Sequence, residues 1–427
     1  MMQVSIANTS ELERVFTVTV PAADLTAAYD KVLKKIAKMA KVDGFRKGHV
    51  PQQMIQRLYG SSAFSEAVEK IVNENTPKAL EEGKLKLAPN FGIDIKKAEL
   101  GQDFVYDVVA EEFPKVNVVE LGTLEIEKLT CDVSDADVDN VIEKIRLQNG
   151  TFTPAEDDYQ IGPNDKVKVK LTITQEGKDP IVNDNGVVVL FAAPKAVAEK
   201  YIGKKAGEKF DFTDESGEGD NKIVRKFDVE IKEVQKMNLP ELNEAFFKSV
   251  GSKDQTLESF KTEVRNNIER EKNYLVLSKN AAAVREALLK AHEFAMPVKF
   301  IDKRVEEALE EAKKKAAASQ KNAVNQLGKE YYQDLISSSY KYGFIVDAII
   351  ENNEIKVTED DLKSKVQEIA SAYEDADEVV KYYLSNPKIK NQIEEQCREQ
   401  KVVDFVLSKA NVKENKIDFN TLAAQAR

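Results

Sequence analysis

The loop between two predicted helices reads Gly44-Phe45-Arg46-Lys47-Gly48-His49-Val50-Pro51. Its glycines permit backbone angles that are closed to other residues, so the chain can turn tightly between the helices. Such a turn would place Phe45, Arg46 and Lys47 outward, at the tip of a helical hairpin. An exposed aromatic side chain beside two cations is typical of a docking surface. We therefore expect this tip to contact a partner.

The sequence around this loop is strongly basic. Between Lys31 and Arg57, eight basic residues against the single acid Asp43 give a local charge of +7, in a chain whose formal net charge is -11. The basic residues are Lys31, Lys34, Lys35, Lys38, Lys41, Arg46, Lys47 and Arg57. A basic stripe that leads to a basic tip is typical of a protein that binds a phosphate-rich partner. From spacing alone, a solvated helix face that ends in a turn remains equally open.

The composition sets limits on the fold. A chain of 427 residues has room for several domains of about 100–200 residues each. With 42% hydrophobic and 32% charged residues, the sequence favours long helices that carry many charges. The overall negative charge disfavours a general nucleic-acid binder.

The sequence lacks the motifs of metal, nucleotide and hydrolytic chemistry. Cys131 and Cys397 lie far apart and form no CxxC pair, which favours a reducing cytoplasm, and a single disulfide between them is open but unsupported. Neither His49 nor His292 sits in an HExxH motif, and neither a phosphate loop nor a GxSxG elbow occurs. The segment Met1–Ser10 has no signal-peptide pattern, and no apolar run approaches about 20 residues. We therefore expect a cytoplasmic protein with no metal, no cofactor and no membrane contact.

Residues 1–114 have the pattern of a mixed α/β domain. Alternating side chains predict a strand at Val15–Val20, and apolar residues at helical spacing predict a helix from Ala23 to Val42. Pro51 suits the first turn of a second, short helix that Gly60 ends. A longer helix and further alternating strands complete the domain.

The rest of the chain changes character twice. Residues 115–148 resemble a connector with a helix that Ser134 caps. Residues 149–237 form a β-rich segment, whose predicted strands are Val167–Ile173, Val187–Phe191 and Phe227–Ile231. Residues 238–427 are predicted to be almost wholly helical, with helix boundaries at Thr256, Pro297, Thr358 and Pro387.

The loop at 44–51 resembles the ribosome-binding signature of the trigger factor family, GFRxGxxP, at every fixed position. Further stretches are similar to the same family. They are Val133–Val138, Leu239–Leu242, Glu263–Asn267 and Ala370–Asp375. The resemblance covers the N-terminal third and the C-terminal half well, and the middle poorly.

This resemblance implies an α+β multidomain chaperone. The implied parts are an α/β ribosome-binding domain at 1–114, a connector at 115–148 that belongs to the C-terminal domain, an FK506-binding-like β-rich middle domain at 149–237, and an all-α chaperone domain with arms at 238–427. The implied partners are a ribosomal protein and ribosomal RNA at the exit site, nascent and unfolded polypeptides, and a second copy when the protein is free. By the motif match, the docking residues are Phe45, Arg46 and Lys47, and the loop-shaping residues are Gly44, Gly48 and Pro51.

The middle segment departs from the family's proline pocket. Leu171 stands where the first pocket aromatic belongs, and no tyrosine lies between Thr213 and Lys226. Other pocket walls are replaced by Pro180, Lys195 and Ala196. Phe227 is the one pocket aromatic that the match retains, so we expect a degenerate isomerase domain with weak or lost activity. A shifted register would instead recruit Phe191, Tyr201, Phe210 or Phe212 and rebuild a pocket.

Three functions remain open from the sequence. The first is an ATP-independent chaperone that holds new polypeptides near the ribosomal exit and assists their folding and export. Its clients would contact residues 238–427 and 115–148, including an arm at Phe300–Ala318. The second is an active prolyl isomerase that acts on nascent chains. The third is a helical scaffold that binds nucleic acid through the basic hairpin. A periplasmic chaperone-isomerase is disfavoured because no signal peptide is predicted.

Overall fold

A computed structural model of the chain describes residues 2–43, 45, 46, 49–156, 158–175, 177–216, 223–315, 321–371, 373 and 375–425. The side chains of residues 216, 223 and 321–327 are not part of this description. The chain divides into two compact units, one formed by Met1–Lys128 with Asn280–Lys413 and the other by Leu129–Lys279 with Glu414–Arg427. Each unit is described by itself.

The N-terminal part of the first unit is an antiparallel sheet covered by two helices. Its elements are β1 (Gln3–Asn8), β2 (Glu13–Val20), α1 (Ala22–Met39), α2 (Gln52–Glu82), β3 (Leu87–Lys97) and β4 (Phe104–Glu112), and the strand order is β1-β2-β4-β3. The alternation predicted at Val15–Val20 is confirmed, because Phe16, Val18 and Val20 are buried against both helices. Burying one face of a strand in this way requires a period of two in the sequence.

Helix α2 corrects the prediction of two helices separated at Gly60. It runs unbroken from Gln52 to Glu82. A Cβ at Gly60 would lie 3.1 Å from the Tyr29 hydroxyl oxygen, so this glycine allows α1 to approach α2 closely and does not end a helix. Two boundaries also differ. Helix α1 ends at Met39, before Val42, and Pro51 occupies the N-cap position just before α2.

Residues 115–148 contain one strand and one helix. Strand β5 (Glu125–Asp132) pairs with a C-terminal strand, and α3 (Asp135–Gln148) follows it. The predicted cap is confirmed, because Ser134 accepts a hydrogen bond from the Asp137 amide while the Asp137 carboxylate accepts one from the Ser134 amide. This reciprocal arrangement satisfies amides that would otherwise lack partners in the first turn.

The middle segment forms a five-stranded antiparallel sheet. Its elements are β6 (Thr151–Pro154), β7 (Lys166–Gln175), β8 (Ile181–Val189), α4 (Lys195–Ala198), β9 (Lys209–Ser216) and β10 (Ile223–Asn238). The order is β6-β10-β7-β8, and β9 pairs with β10. The strand predicted at Val187–Phe191 is wrong in its bounds. β8 ends at Val189, because the Leu190 amide bonds to the Asp165 carbonyl oxygen at 2.9 Å and turns the chain into the core.

The described part of the remaining chain is mostly helical and contains one strand. It comprises α5 (Glu244–Ser249), α6 (Leu257–Ala291), α7 (Val298–Lys315), α8 (Lys321–Asn353), α9 (Glu359–Ala370), α10 (Ala376–Ser385), α11 (Pro387–Lys409), β11 (Asn411–Asp418) and α12 (Phe419–Ala424). Helix α8 is interrupted at Gly328, whose φ is 71°. The boundaries predicted at Thr256, Pro297, Thr358 and Pro387 are confirmed as helix starts. The predicted arm at Phe300–Ala318 begins within α7, and its last residues, 316–318, lie outside the described residues.

A basic hairpin tip as the candidate docking site

A small apolar core holds α1 and α2 together near the loop. Its buried members are Tyr29, Val32, Leu33, Val50, Ile55, Ala63 and Ala67. The Tyr29 ring also meets the half-buried Phe64 edge-on, with centroids 6.4 Å apart. Because Val50 belongs to this core, the C-terminal end of the loop is anchored and the tip is supported by packed helices.

At the tip, the structure places Phe45 and Arg46 outward. The Phe45 side chain is 40% exposed, and Arg46 is also exposed. The Phe45 amide donates to the Val42 carbonyl at 3.0 Å, and the His49 amide donates to the Arg46 carbonyl at 2.9 Å. These two turns fix the backbone on each side of the exposed pair. The predicted docking residue Lys47 and the loop glycines Gly44 and Gly48 lie outside the described residues, so their roles stay predictions.

Pro51 starts the second helix. Its carbonyl accepts hydrogen bonds from the Met54 amide at 3.0 Å and from the Ile55 amide at 3.1 Å. Its φ of -56° is already close to the helical value. The proline therefore commits the chain to α2 directly after the loop.

Three further apolar side chains at this end of the hairpin are exposed. Met39 ends α1 and is 58% exposed, while Met54 and Leu58 begin α2 and are 36% and 54% exposed. Sequence reasoning missed this set. The signal in the sequence was that these three residues lie off the buried apolar stripe of their helices. Together with Phe45 they give this end of the hairpin a wider exposed apolar surface.

The outer face of α1 carries the predicted basic stripe. A shallow groove on this face is lined by Ala27, Asp30, Lys31, Lys34, Lys35, Lys38 and Met39. The four lysines are exposed, whereas Leu25 and Tyr29 are buried on the opposite face. Lys35 pairs with Glu66 of α2 at 3.1 Å, with both side chains largely exposed. Such a pair contributes little, so the lysines remain available to an anionic partner.

The middle segment brings together the retained pocket residue and three of the alternative aromatics. Phe212 stacks on Phe227, with centroids 4.9 Å and planes 3° apart. Phe210 lies 6.2 Å from Phe212 and meets the buried Tyr201 edge-on at 5.0 Å. The Lys204 ammonium lies 4.8 Å from the Phe210 centroid. These aromatic rings therefore contact one another in a series. Among the described ring pairs, none in this series includes Phe191.

The residues that replace the other pocket walls are divided between core and surface. Leu171 packs, half-buried, against the core of the middle segment. Pro180, Lys195 and Ala196 are all exposed. Within the described part of the chain, no cluster of three His, Cys, Asp or Glu residues could hold a metal ion.

No helix among the described residues is both long and apolar enough to cross a membrane. Both cysteines are buried free thiols. Burial raises the pKa of the Cys131 and Cys397 thiols. A raised pKa lowers the thiolate fraction that reacts at neutral pH, so both side chains behave as core residues.

Two family models match the chain. The model described as bacterial trigger factor protein matches residues 2–145, and the one described as the bacterial trigger factor C-terminus matches residues 256–408. A trigger factor from Hahella chejuensis is 30% identical over 425 residues, which cover 98% of this chain and 95% of that protein. A trigger factor from Actinobacillus succinogenes is 32% identical over 427 residues, which cover 98% of each chain.

One solved structure supports the fold. It concerns promiscuous substrate recognition in the folding and assembly activities of the trigger factor chaperone. The likeness has a TM-score of 0.50 at 19% identity and covers 95% of this chain and 99% of that one. The predicted fold class is confirmed: an α/β N-terminal part, a β-rich middle and a helical C-terminal region.

Proposed function

Because the chain belongs to the trigger factor family, a membership that supports a chaperone role, we propose that it docks on the ribosome near the nascent-chain exit. There it holds new polypeptides in an open, folding-competent state, without ATP, and assists their folding and export in the cytoplasm. The docking partners are a ribosomal protein and ribosomal RNA at the exit site. Self-association of the free chain belongs to the same proposal.

The observation that carries this proposal is the exposed Phe45–Arg46 tip at the end of a lysine-rich helix face. Arg46, with Lys47, supplies charge-assisted hydrogen bonds to phosphate or carboxylate groups. Phe45 supplies an apolar insertion, and the exposed Met39, Met54 and Leu58 add apolar surface around it. A partner made of both protein and RNA offers a counterpart to each of these features.

The test is co-sedimentation of the full chain with ribosomes. We expect replacement of Phe45, Arg46 and Lys47 by alanine to abolish association while the helical content stays unchanged. A matched control replaces Lys381, Tyr382 and Lys388 by alanine, because it also removes two cations and one exposed aromatic, on α10 and α11. The control should sediment with ribosomes like the wild type. Equal sedimentation of the tip variant would refute the docking assignment.

Binding to bare duplex separates this proposal from a general nucleic-acid scaffold. Contacts between lysines and phosphates release counterions, so ribosome association should weaken as salt rises. Bare duplex RNA or DNA offers phosphates without an apolar counterpart for Phe45. Binding to bare duplex as strong as binding to ribosomes would favour the scaffold.

Client binding is assigned to dispersed apolar side chains on the helical region. Tyr274, Tyr331, Leu335, Tyr373 and Tyr382 are each at least half exposed. Tyr274, Tyr331 and Leu335 lie on the long helices α6 and α8, Tyr382 lies on the short helix α10, and Tyr373 lies between α9 and α10. Weak contact at many points suits clients of arbitrary sequence, since no single pocket could accept them all.

We propose that the middle segment retains at most weak prolyl isomerase activity. Catalysis by this class of domain depends on a dry apolar pocket that binds the twisted amide better than the planar one. The stacked faces of Phe212 and Phe227 are already engaged with each other, and Lys195 and Ala196 are exposed. These features support a weak or lost activity.

The alternative is an active isomerase acting on nascent chains, and one observation favours it. Phe212 stacks on Phe227, and Phe210 and then Tyr201 continue the ring series away from it, so three of the aromatics that a shifted register would recruit lie in one series with Phe227. An isomerisation assay of the full chain on a short proline peptide decides between them. A rate that falls when Phe227 is replaced by alanine would establish the active isomerase, whereas a rate at the uncatalysed level supports the degenerate domain.

A further inference from the structure

Strand β3 extends the apolar face of the N-terminal sheet beyond the part that helices α1 and α2 cover. In the register with β4, Phe91 pairs with Ala110, Ile93 with Val108 and Ile95 with Tyr106. Directly paired residues point to the same face of a sheet. The three β4 partners are fully buried beneath α1 and α2. Their β3 neighbours are 44%, 43% and 49% exposed, so the helices cover the middle of the sheet and leave this margin open.

The backbone of β3 is also open at this margin. β3 ends the strand order, so its outer edge pairs with no further strand among the described residues. Register shifts occur on both sides, between Leu87 and Phe91 and between Ile95 and Lys97, but not between Phe91 and Ile95. Bulges and charges usually blunt an exposed edge. Here they flank a regular stretch and leave its outward N–H and C=O groups available.

We propose that the outer edge of β3 binds extended apolar segments of unfolded polypeptides by adding them to the sheet as a further strand. The inference rests on the proposed chaperone function and names a second client surface with its own mode of binding. Main-chain hydrogen bonds to the open edge provide affinity for any sequence. Side chains at alternate positions of the client lie next to Phe91, Ile93 and Ile95, so the edge selects apolar residues at every second position.

The other face of β3 carries charged residues, so we expect only the apolar face to select client side chains. Lys96 lies 2.5 Å from an Asp94 carboxylate oxygen and 3.5 Å from Asp107, which also accepts a hydrogen bond from Thr17. These charges are already satisfied within the sheet. A Cβ at Gly92 would meet nothing within 4 Å, so this face of the strand is open at that position. A charged client residue on the apolar face would lose hydration without gaining a partner.

The size of the patch favours a single strand over a second copy of the chain. A stable dimer interface involves about 20–30 residues on each side. The regular stretch holds five residues, 91–95, with the exposed Leu100 close by in sequence. Such an edge spans about 17 Å at about 3.4 Å per residue. An edge of this length suits a short client segment that exchanges rapidly.

The test uses the full chain and a short fluorescent peptide of alternating valine and threonine with a lysine at each end. Fluorescence anisotropy should show weak binding that Ile93→Lys reduces by about tenfold or more, a change of about 1.4 kcal/mol. Ile6→Lys is the matched control, because Ile6 is 45% exposed on the same face of the same sheet but on the opposite edge strand, β1. Methylating alternate backbone nitrogens of the peptide should abolish binding in one of the two registers.

Several results would overturn the inference. They are no binding by the wild type, equal binding by Ile93→Lys, equal loss in Ile6→Lys, or full binding by both of the methylated peptides. A wild type that sediments as a dimer while Ile93→Lys is a monomer would identify a second copy as the occupant. Ribosome co-sedimentation and suppression of aggregation are measured in parallel. If both persist while peptide binding fails, the inference falls and the proposed function stands. If both fail in the wild type, the proposed function falls.

Discussion

His292 is a buried side chain whose two ring nitrogens both have hydrogen-bond partners within the fold. Its Nδ1 donates to the Leu288 carbonyl at 2.7 Å, and its Nε2 accepts from the Val119 amide at 3.1 Å. Because a carbonyl only accepts and an amide only donates, these partners select one neutral tautomer. The ring is 3% exposed and ties residue 119 to helix α6. The sequence could exclude His292 from a metal motif but could not predict this bridge.

Replacing His292 by alanine should lower the free energy of unfolding by about 1–3 kcal/mol, because the Val119 amide would remain without a partner. The matched control is His49→Ala at the other histidine, which is exposed and should change stability by less than about 0.5 kcal/mol. Urea unfolding followed by circular dichroism measures both. Equal stability of the two variants would show that the bridge contributes nothing.

Among the helices, α7 has a cap supplied from a strand. The carboxylate of Glu111, at the end of β4, accepts hydrogen bonds from the Lys299 amide at 3.0 Å and the Phe300 amide at 2.8 Å. The nearby Phe113 ring lies 5.5 Å from Phe300 and 5.2 Å from Phe344. The capping residue lies 188 positions from Lys299 in the chain, so local sequence gave no sign of it.

Removal of this cap should weaken the first turn of α7. We expect Glu111→Ala to reduce the free energy of unfolding by about 0.5–2 kcal/mol, as for other lost helix caps. Hydrogen exchange at the amides of Lys299 and Phe300 should accelerate, since both lose their acceptor. Glu120→Ala, at an exposed glutamate of the same unit, is the control and should leave that exchange unchanged. Unaltered protection in Glu111→Ala would contradict the role assigned to the cap.

Helix α9 has an acid-sensitive cap. Hydrogen bonds from Lys401 and Thr358 hold the pKa of the Asp361 carboxyl at about 2, below its ordinary value of 3.8. Since the folded-state pKa is the lower one, the carboxylate stabilises the fold fully above about pH 4. That contribution is lost as the pH falls towards 2. Asp361→Asn should therefore lower the melting temperature at pH 7, and the difference should shrink between pH 4 and 2.

The control for this pH dependence is Asp334→Asn, at an exposed position of α8. Its melting temperature should follow that of the wild type across the series, as measured by circular dichroism. A constant difference between Asp361→Asn and wild type down to pH 2 would show that the carboxylate charge is not what stabilises α9.

Local signals predicted those elements whose causes are local. The alternation in β2 and the reciprocal cap of α3 are properties of neighbouring residues, and both are confirmed. The helix end predicted at Gly60 was wrong, because this glycine leaves room for the Tyr29 side chain of another helix. Strand β11 was also missed, since its partner β5 lies in a distant part of the sequence. These errors share one cause, which is contact between segments far apart in the chain.

Across the whole chain, the sequence located part of the candidate site and missed its surroundings. The loop motif and the lysine spacing identified Phe45, Arg46 and the basic face of α1. The apolar additions Met39, Met54 and Leu58 depended on which helix face the hairpin core buries. The aromatic series of the middle segment depended on strand pairing, because Phe212 and Phe227 are directly opposed on β9 and β10.

A chain that lacks the middle segment tests where client proteins bind. Client contacts are assigned mainly to the helical region, so deletion of residues 149–237 should preserve suppression of aggregation without ATP. Light scattering of a refolding protein at a series of chaperone concentrations measures this. The full chain carrying Phe227→Ala is the control for loss of the aromatic surface alone. Complete loss of suppression in the shortened chain would place the main client surface in the middle segment.

We propose that the hairpin tip delivers a chaperone to nascent chains. The most direct measurement compares the wild type with the Phe45, Arg46 and Lys47 triple alanine variant in a reconstituted translation system, scoring the soluble yield of an aggregation-prone product. The same two proteins are also compared in a ribosome-free refolding assay. We predict that the variant suppresses aggregation normally without ribosomes but fails to protect the newly translated product. Equal protection of the translated product by both proteins would show that the hairpin tip does not deliver the chaperone to nascent chains.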